Sequence, residues 1–295
     1  MSQSTFRPLL AEKIDLKIVE YPMSASPKYD GFRCLIDAGG NPVSRNIKPI
    51  PNSYVFGKLK EIGLPRFDGE LLTYTNGKVD DFNTVQSKLT SRSGLPDFKY
   101  MVFDSCYILS DQYKERNAKV ATWLNQNRSK YVEHVKQVVI HNEEELLNYE
   151  AEQVALGWEG IMVRSLDGIY KCGRSTTKEG ILLKMKRFVD DEAIVVSAHE
   201  LVSNTNEATI DALGYTVRSS HKENMVGQGV LGKLTARWIG KDVEFDIGTG
   251  FDMQQRQSYW SNKDDLVGAK ITFKYQGVGP NGKPRFPVFL GFRND

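Results

Sequence analysis

Hydrophobic positions in the first two thirds of the chain recur at intervals that predict both helices and strands. Stretches with apolar residues every three to four positions predict helices, and these span residues 53–62, 80–90, 111–129 and 142–157. Alternating or continuous apolar runs predict strands at residues 14–18, 32–36, 43–46, 67–74, 100–108, 160–164 and 181–186. This mixture predicts an α+β domain.

A turn signal separates two of these predicted strands. The run Ala38-Gly39-Gly40-Asn41-Pro42 is typical of a turn, and it lies between the strands beginning at Phe32 and Val43. The pattern therefore predicts that Lys28 and Arg45 lie on one antiparallel hairpin.

The pattern of hydrophobic and polar positions changes near residue 188. From there five short strands with Gly-rich joints are predicted, at residues 193–199, 231–238, 243–247, 270–275 and 288–292. Such a series is typical of a small β-barrel or sandwich. We expect two domains, residues 1–188 and 189–295. The second carries a polar insert at about residues 203–229, whose composition predicts a solvated, mobile loop.

Composition restricts the class of protein. Lys and Arg number 39 against 37 Asp and Glu, a net charge of +2, so any basic surface must come from local arrangement. The three cysteines form no Cys-x-x-Cys pair, which argues against a structural zinc or a disulfide framework and fits a reducing compartment. The N-terminus lacks a secretory pattern and no apolar run could span a bilayer. We expect a cytoplasmic protein that has no membrane association.

The heptapeptide Pro27-Lys28-Tyr29-Asp30-Gly31-Phe32-Arg33 is the first candidate for chemistry. A lysine amine attacks phosphorus only when neutral, so its site must lower its pKa or remove its proton. Pro27 fixes the approach of the chain, and Gly31 lets the backbone come close to a ligand. A surface turn with solvated charges is the alternative, since a four-residue pattern occurs by chance.

Five further stretches follow in a fixed order: Ser44-Arg45-Asn46, Phe67-Asp68-Gly69-Glu70-Leu71-Leu72, Tyr100-Met101-Val102-Phe103-Asp104, Glu159-Gly160-Ile161-Met162-Val163-Arg164 and Leu182-Leu183-Lys184-Met185-Lys186. With the heptapeptide, this ordered set resembles the motifs of the covalent nucleotidyltransferases, which comprise DNA ligases, RNA ligases and mRNA capping enzymes. The closest resemblance is to small ATP-dependent DNA ligases of the Chlorella virus type. It covers nearly the whole chain, including the run from Arg285 to Arg293.

The resemblance implies a nucleotidyltransferase domain with antiparallel sheets followed by an OB-fold barrel. It implies that Lys28 attacks the α-phosphorus of ATP and holds AMP covalently. The residues that the resemblance gives a catalytic role are Lys28, Asp30, Arg33, Lys184 and Lys186. Those that would contact the nucleotide are Lys28, Arg33, Arg45, Glu70 (ribose), Phe103 (adenine), Arg174, Lys184, Lys186 and Arg285 (pyrophosphate).

The resemblance also implies a metal and a DNA substrate. Glu159 and Glu70 are the expected carboxylate partners of Mg²⁺, or of Mn²⁺ in its place. The expected DNA contacts are Arg33, Arg45, Arg174, Arg218 and Lys222, the last two from an insert that serves as a latch in similar ligases. The C-terminus departs from the Arg-x-Asp-Lys pattern of many members, which leaves the roles of Arg293 and Asp295 open.

The expected activity is that of a monomeric ATP-dependent ligase sealing nicks in duplex DNA. An RNA ligase or a GTP-using capping enzyme would share the Lys28 chemistry. A non-catalytic nucleic-acid binder is a third hypothesis, against which the set Lys28, Glu70, Glu159, Lys184 and Lys186 argues.

Overall fold

The computed structural model describes residues 6–219, 224–279 and 281–293. The chain divides into two compact units. The first contains the chain up to Lys186 together with Ile210–Tyr215, and the second contains Arg187–Thr209 and the chain from Thr216 onward. Ile210–Tyr215 lie within the stretch that the sequence pattern assigned to an insert of the second domain.

The first unit contains two five- to six-stranded sheets and a short two-stranded one. Its strands are β1 (Leu9–Leu10), β2 (Glu12–Lys13), β3 (Met23–Pro27), β4 (Phe32–Ile36), β5 (Pro42–Ser44), β6 (Phe67–Thr75), β7 (Lys78–Val79), β8 (Asp97–Ser105), β9 (Val132–His134), β10 (Val138–Ile140), β11 (Ile161–Ser165), β12 (Gly173–Arg174) and β13 (Leu182–Met185).

One sheet has the order β10-β3-β11-β13-β2, and the other has the order β5-β4-β6-β8-β9 with β7 paired to β6. Neighbouring strands are antiparallel except in the pairs β13–β2 and β8–β9. The predicted antiparallel sheets are therefore present. The two strands β1 and β12 pair in parallel.

All four helices predicted for the first unit are present. They are α1 (Ser53–Ile62), α2 (Phe82–Thr90), α3 (Tyr113–Gln126) and α4 (Glu143–Ala155). Polar caps fix their starts; the Asn142 side chain, for example, accepts from the backbone of Glu145, and three glutamates occupy the first turn of α4. The caps and the apolar spacing can both be recognised in the sequence, and together they predict these helices.

The strand predicted at residues 14–18 is wrong, and a strand preceding Lys28 was missed. Ile14 and Leu16 instead pack at the edge of a core that contains Met23 and Ala25. The strand is β3, whose residues Met23 to Ser26 are all buried. Serine and alanine lack the β-branched bulk that marks strands in sequence, but β3 lies between β10 and β11 in the sheet.

The predicted hairpin is only half correct. The strands β4 and β5 do pair antiparallel, with Cys34 opposite Ser44. Lys28, however, directly follows β3 in the other sheet, whereas Arg45 directly follows β5. The prediction that Lys28 and Arg45 share a hairpin is therefore wrong, and the two residues come from different sheets.

The second unit is built on a five-stranded antiparallel sheet. Its strands are β14 (Val189–Asn204), β17 (Met225–Trp238), β18 (Glu244–Ile247), β19 (Lys270–Tyr275) and β20 (Val288–Phe292), in the order β18-β17-β14-β19-β20. All five predicted strands are present, and the first two are longer than predicted. Their core contains Trp238, Phe245, Phe273 and Tyr275.

A helix of the second unit was missed. It is α5 (Met253–Ser261), followed by a 3₁₀ turn at Lys263–Leu266. No residue of α5 is fully buried, so the helix lacks the apolar face that would have identified it. Among the residues that the structure describes, no helix is long and apolar enough to cross a membrane.

The insert contains strands, contrary to the predicted loop. Strands β15 (Ala208–Ile210) and β16 (Thr216–Arg218) form a two-stranded sheet, while β14 and β17 pair as far as Asn204 and Met225. The β-branched residues Thr209, Ile210, Thr216 and Val217 favour extended backbone. Gly214, at φ +77°, provides the left-handed conformation in the connecting turn.

Candidate active site

One cavity of the first unit lies where residues from both large sheets converge. It encloses about 800 Å³, counting the space open to solvent. Its lining is Leu10, Ala11, Ser26, Pro27, Lys28, Tyr29, Arg33, Arg45, Glu70, Phe103, Met162, Arg164, Arg174 and Lys184. The structure thus brings together seven of the residues singled out in the sequence: Lys28, Arg33, Arg45, Glu70, Phe103, Arg174 and Lys184.

Lys28 is held by the backbone that precedes β11. Its amide donates to the carbonyl of Gly160 (2.8 Å), and the amide of Glu159 donates to the carbonyl of Lys28 (3.3 Å). The Glu159 carboxylate then accepts hydrogen bonds from the ammonium groups of Lys28 and Lys186, one on each oxygen. Since the Glu159 side chain is only 6% exposed, this ion triplet is largely shielded from water and strongly directional.

Gly160 occupies a position that only glycine can fill. Its φ is +145°, and a Cβ atom there would collide with the carbonyl oxygen of Met185 on β13. This close approach lets β11 and β13 pair, with Ile161 opposite Met185. The pairing places Lys186, immediately after β13, beside Glu159.

Arg33 is locked in place by a buried carboxylate. Its Nε and Nη2 atoms donate to the two oxygens of Asp68, each at 2.6 Å, and Nη2 also donates to the carbonyl of Leu9. Tyr170 donates its hydroxyl to the same carboxylate at 2.6 Å. Burial alone would lower the pKa of Arg33, but the charge of Asp68 raises it above its ordinary value, so Arg33 stays cationic.

Glu70 and Lys184, which line the same cavity, also have displaced pKa values. Burial raises the pKa of Glu70 to about 7, against the opposing influence of Arg33 and Lys28. Burial also lowers the pKa of Lys184, and the positive charges of Arg174 and Lys28 lower it further. Both displacements are in the direction that desolvation produces, and the Lys184 displacement also reflects the neighbouring cationic groups.

Phe103 lies half-buried on the cavity wall, with two guanidinium groups close to its ring. The Cζ atoms of Arg33 and Arg164 lie 4.8 and 5.2 Å from its ring centroid. Arg164 is in turn paired with Asp104, the residue after Phe103, through a 2.5 Å contact. The ring is therefore held by cation–π contacts in addition to packing.

Arg174 and Asp30 occupy different positions relative to the cavity. Arg174 belongs to β12, lines the cavity, and donates to the carbonyl of Ala11 at 2.7 Å. Asp30 lies in the turn between β3 and β4 and does not line the cavity. Next to it, a Cβ atom on Gly31 would collide with the carbonyl of Leu71, which explains the glycine in the heptapeptide.

Two of the predicted site residues that the structure describes lie in the second unit. Arg285 is half-buried, and its Cζ atom lies 5.4 Å from the centroid of the Phe286 ring. Arg218, on β16, donates a hydrogen bond to the carbonyl of Asn206. Their predicted contacts with pyrophosphate and DNA stay predictions. Lys222 and Asp295 lie outside the described residues.

The metal assignment also stays a prediction. Within residues 6–219, 224–279 and 281–293, no three or more His, Cys, Asp or Glu side chains cluster as a metal cage would. Both oxygens of Glu159 contact lysines. A metal at Glu159 would therefore depend on water and phosphate for most of its ligands, as Mg²⁺ commonly does.

Sequence reasoning missed the residues that support the site from behind. Asp68 and Asp104 were noticed only as parts of motifs, and their partners Tyr170, Arg116 and Arg164 were given no role. Each pairing joins residues at least 12 positions apart and as many as 102. The only sequence signal was an Asp within a strand of mainly apolar residues, a position where a buried carboxylate needs a cationic partner.

Comparison with known proteins agrees with this geometry. A family model described as ATP dependent DNA ligase domain matches residues 8–186. A second, described as DNA ligase OB-like domain, matches residues 224–293, which confirms the predicted OB fold.

Individual relatives extend over most of the chain. The DNA ligase of Haemophilus influenzae is 28% identical over 222 residues, which cover 75% of this chain and 69% of that protein. The crystal structure of Chlorella virus DNA ligase-adenylate is 34% identical, with a TM-score of 0.57, and the match covers 97% of this chain and 99% of that one. A Lig E DNA ligase structure, at 24% identity and a TM-score of 0.75, shares the fold over 97% of this chain and 99% of that one. The chain belongs to the family of ATP-dependent DNA ligases.

Proposed function

We propose that this enzyme seals nicks between a 5′-phosphate and a 3′-hydroxyl in duplex DNA, through an AMP adduct on Lys28. The observation that carries the proposal is the position of Lys28. Its side chain lines a cavity rich in cationic groups, and its ammonium is held by Glu159 beside Lys186. Such a cavity suits a polyphosphate, and a lysine at its wall suits attack on phosphorus.

The chemistry proceeds in three displacements at phosphorus. Once the Lys28 ammonium has lost a proton, the lone pair of Nζ forms a bond to the α-phosphorus of ATP, pyrophosphate leaves with the electrons of the broken P–O bond, and the nitrogen gives up a second proton to solvent. A 5′-phosphate oxygen of the nick then attacks the same phosphorus, and the Lys28 nitrogen takes up a proton and leaves as the amine. The 3′-hydroxyl finally loses its proton, attacks the 5′-phosphorus, and AMP leaves.

The cavity residues divide by the charge that they meet. Lys184, Lys186, Arg45 and Arg174 are suited to phosphate, and Arg33, oriented by Asp68, presents its remaining donors to phosphate or a sugar hydroxyl. Phe103 offers a stacking surface for adenine and Glu70 an acceptor for ribose. Asp30, outside the cavity lining, is assigned to the two later steps.

The chain's own residues would hold a divalent cation only in part. Glu159 has the carboxylate oxygens that Mg²⁺ prefers, but it must first release Lys28. Glu70 is the second candidate ligand, and Mn²⁺ could replace Mg²⁺. When bound, the ion would neutralise negative charge on the α-phosphate.

We assign the DNA contacts to arginines of both units and to the insert. Arg33, Arg45 and Arg174 would meet the nick, while Arg218 and Lys222 of the insert would contact the backbone of a duplex held by one copy of the chain. Arg285 is assigned to pyrophosphate. Phosphate contacts of this kind make binding steeply dependent on salt.

Labelled nucleotides test the proposal directly. Incubated with α-labelled ATP or GTP and Mg²⁺, the protein should form an acid-labile, base-stable adduct with ATP alone. An adduct with GTP would indicate a capping enzyme. Nicked DNA and nicked RNA of one sequence then identify the substrate: sealing of RNA alone would indicate an RNA ligase, and absence of any adduct would reject the covalent mechanism.

A further inference from the structure

A buried ion cluster lies behind the cavity and has no role in the chemistry proposed above. Asp104 on β8 is fully buried, while Arg116 on α3 and Arg164 on β11 are 2% and 3% exposed. Two cations and one anion away from water are costly unless every group is well paired. Their geometry meets that condition.

Asp104 joins the two arginines. Arg116 donates to both of its oxygens, through Nε at 2.7 Å and Nη2 at 3.2 Å, and Arg164 donates to one of them through Nη1 at 2.5 Å. Arg116 Nη1 also donates to the carbonyls of Asp111 and Gly168. The cluster therefore connects a helix with one strand from each large sheet.

The front of the cluster is the wall of the cavity. Arg164 lines the cavity and lies 5.2 Å from the Phe103 ring centroid. From behind, the hydroxyl of Tyr113, at the start of α3, donates to the carbonyl of Phe103 at 3.1 Å. Phe103 is thus fixed through its backbone, through its neighbour Asp104, and through its ring.

We propose that Arg116 is a positioning residue for recognition of the nucleotide base, acting through Asp104 and Arg164 on Phe103. The inference rests on the proposed use of Phe103 as the adenine platform. Arg116 itself neither lines the cavity nor contacts the ion triplet of Lys28, Glu159 and Lys186. Its loss should therefore weaken contacts with the base and leave contacts with the phosphates unchanged.

The test compares a probe that contains the base with one that lacks it. For Arg116→Met, we expect the ATP concentration giving half-maximal adduct formation to rise about tenfold, a typical effect of losing a base–aromatic contact. The rate at saturating ATP should change less than threefold. The pyrophosphate concentration giving half-maximal reversal of the preformed adduct should stay the same, because pyrophosphate carries no base.

A spectroscopic readout reports stacking itself. The triphosphate of 2-aminopurine riboside should lose most of its fluorescence on binding to the wild type, because its base stacks on Phe103, and much less on binding to Arg116→Met. The matched control is Lys119→Met on the same helix, whose lysine forms an exposed ion pair with Asp111; it should match the wild type in every assay.

Asp104→Asn keeps the proposal testable if Arg116→Met folds poorly. It preserves shape, removes the charge that joins the arginines, and should show the same selective loss of ATP affinity and of quenching. Two results would overturn the inference: equal changes in the half-maximal concentrations of ATP and of pyrophosphate, or a lowered melting temperature with unchanged quenching. A wild type that forms no adduct would instead overturn the proposed function.

Discussion

Glu70 offers a quantitative test of how strongly the cavity is desolvated. Burial raises the pKa of its carboxyl from 4.5 to about 7. Between these two values the folded protein keeps the Glu70 proton and the unfolded chain has lost it. The free energy of unfolding must therefore fall as pH rises from about 4.5 to 7 and be unaffected by this group at higher pH.

The size of the effect follows from the displacement. A pKa raised from 4.5 to about 7 corresponds to about 3 kcal/mol at about 1.36 kcal/mol per pKa unit. Glu70 is only half-buried, and water screens such a group, so we expect about 1–2 kcal/mol. Glu70→Gln removes the titration and keeps the shape. Between pH 4.5 and 8, the free energy of unfolding of the variant should therefore rise by this amount relative to that of the wild type.

Two measurements check the reasoning. Carbon-13 NMR of labelled glutamate carboxyls should show a signal titrating near pH 7 in the wild type that is missing in Glu70→Gln. Native-state hydrogen exchange of amides in β6 and β8 gives the free energy of unfolding of the first unit at each pH. A Glu70 signal that titrates near 4.5, or a stability difference that is the same at pH 4.5 and 8, would refute the desolvation argument.

Three further predictions test the chemistry and the DNA contacts. Lys28→Ala should abolish the AMP adduct yet still seal a pre-adenylated nick in part, and an acid-labile adduct on this variant would contradict the assignment. The control Lys58→Ala, at an exposed ion pair, should behave as wild type. Glu159→Ala should lower turnover at saturating Mg²⁺ by about a hundredfold or more, and a change of only a few fold would make Glu159 structural. Arg218→Ala, in the insert, should leave the adduct nearly intact, weaken nick binding and flatten its salt dependence; unchanged nick affinity would show that Arg218 makes no contact with the DNA.

Local signals explain what the sequence predicted correctly. The four helices of the first unit begin at polar caps and have regularly spaced apolar residues, for example Val55 and Leu59 on α1. The residues of each helix and of its cap were therefore sufficient to predict it. The five strands of the second unit were found for the same reason. The seven cavity-lining residues that the sequence singled out were found through the family resemblance, because distances in space cannot be read from spacing along the chain.

Long-range packing explains what was missed. The strand β3 resembles a loop in sequence because Ser24, Ala25 and Ser26 are small, and only its place between two other strands buries it. In the same way, the partners Tyr170 and Asp68 are 102 positions apart. No local pattern indicates that a tyrosine hydroxyl will complete the shell of that carboxylate and so orient Arg33.

The charge of the cavity shows why net charge is a poor guide to the ligand of this protein. The whole chain carries only +2, yet the cavity lining contains six basic side chains and a single carboxylate, Glu70. Three of the six, Arg33, Arg164 and Lys28, are held by the carboxylates of Asp68, Asp104 and Glu159, which lie outside that lining. These carboxylates offset the cost of gathering cations. The potential inside the cavity is therefore positive where a polyphosphate would bind, while the protein as a whole stays nearly neutral.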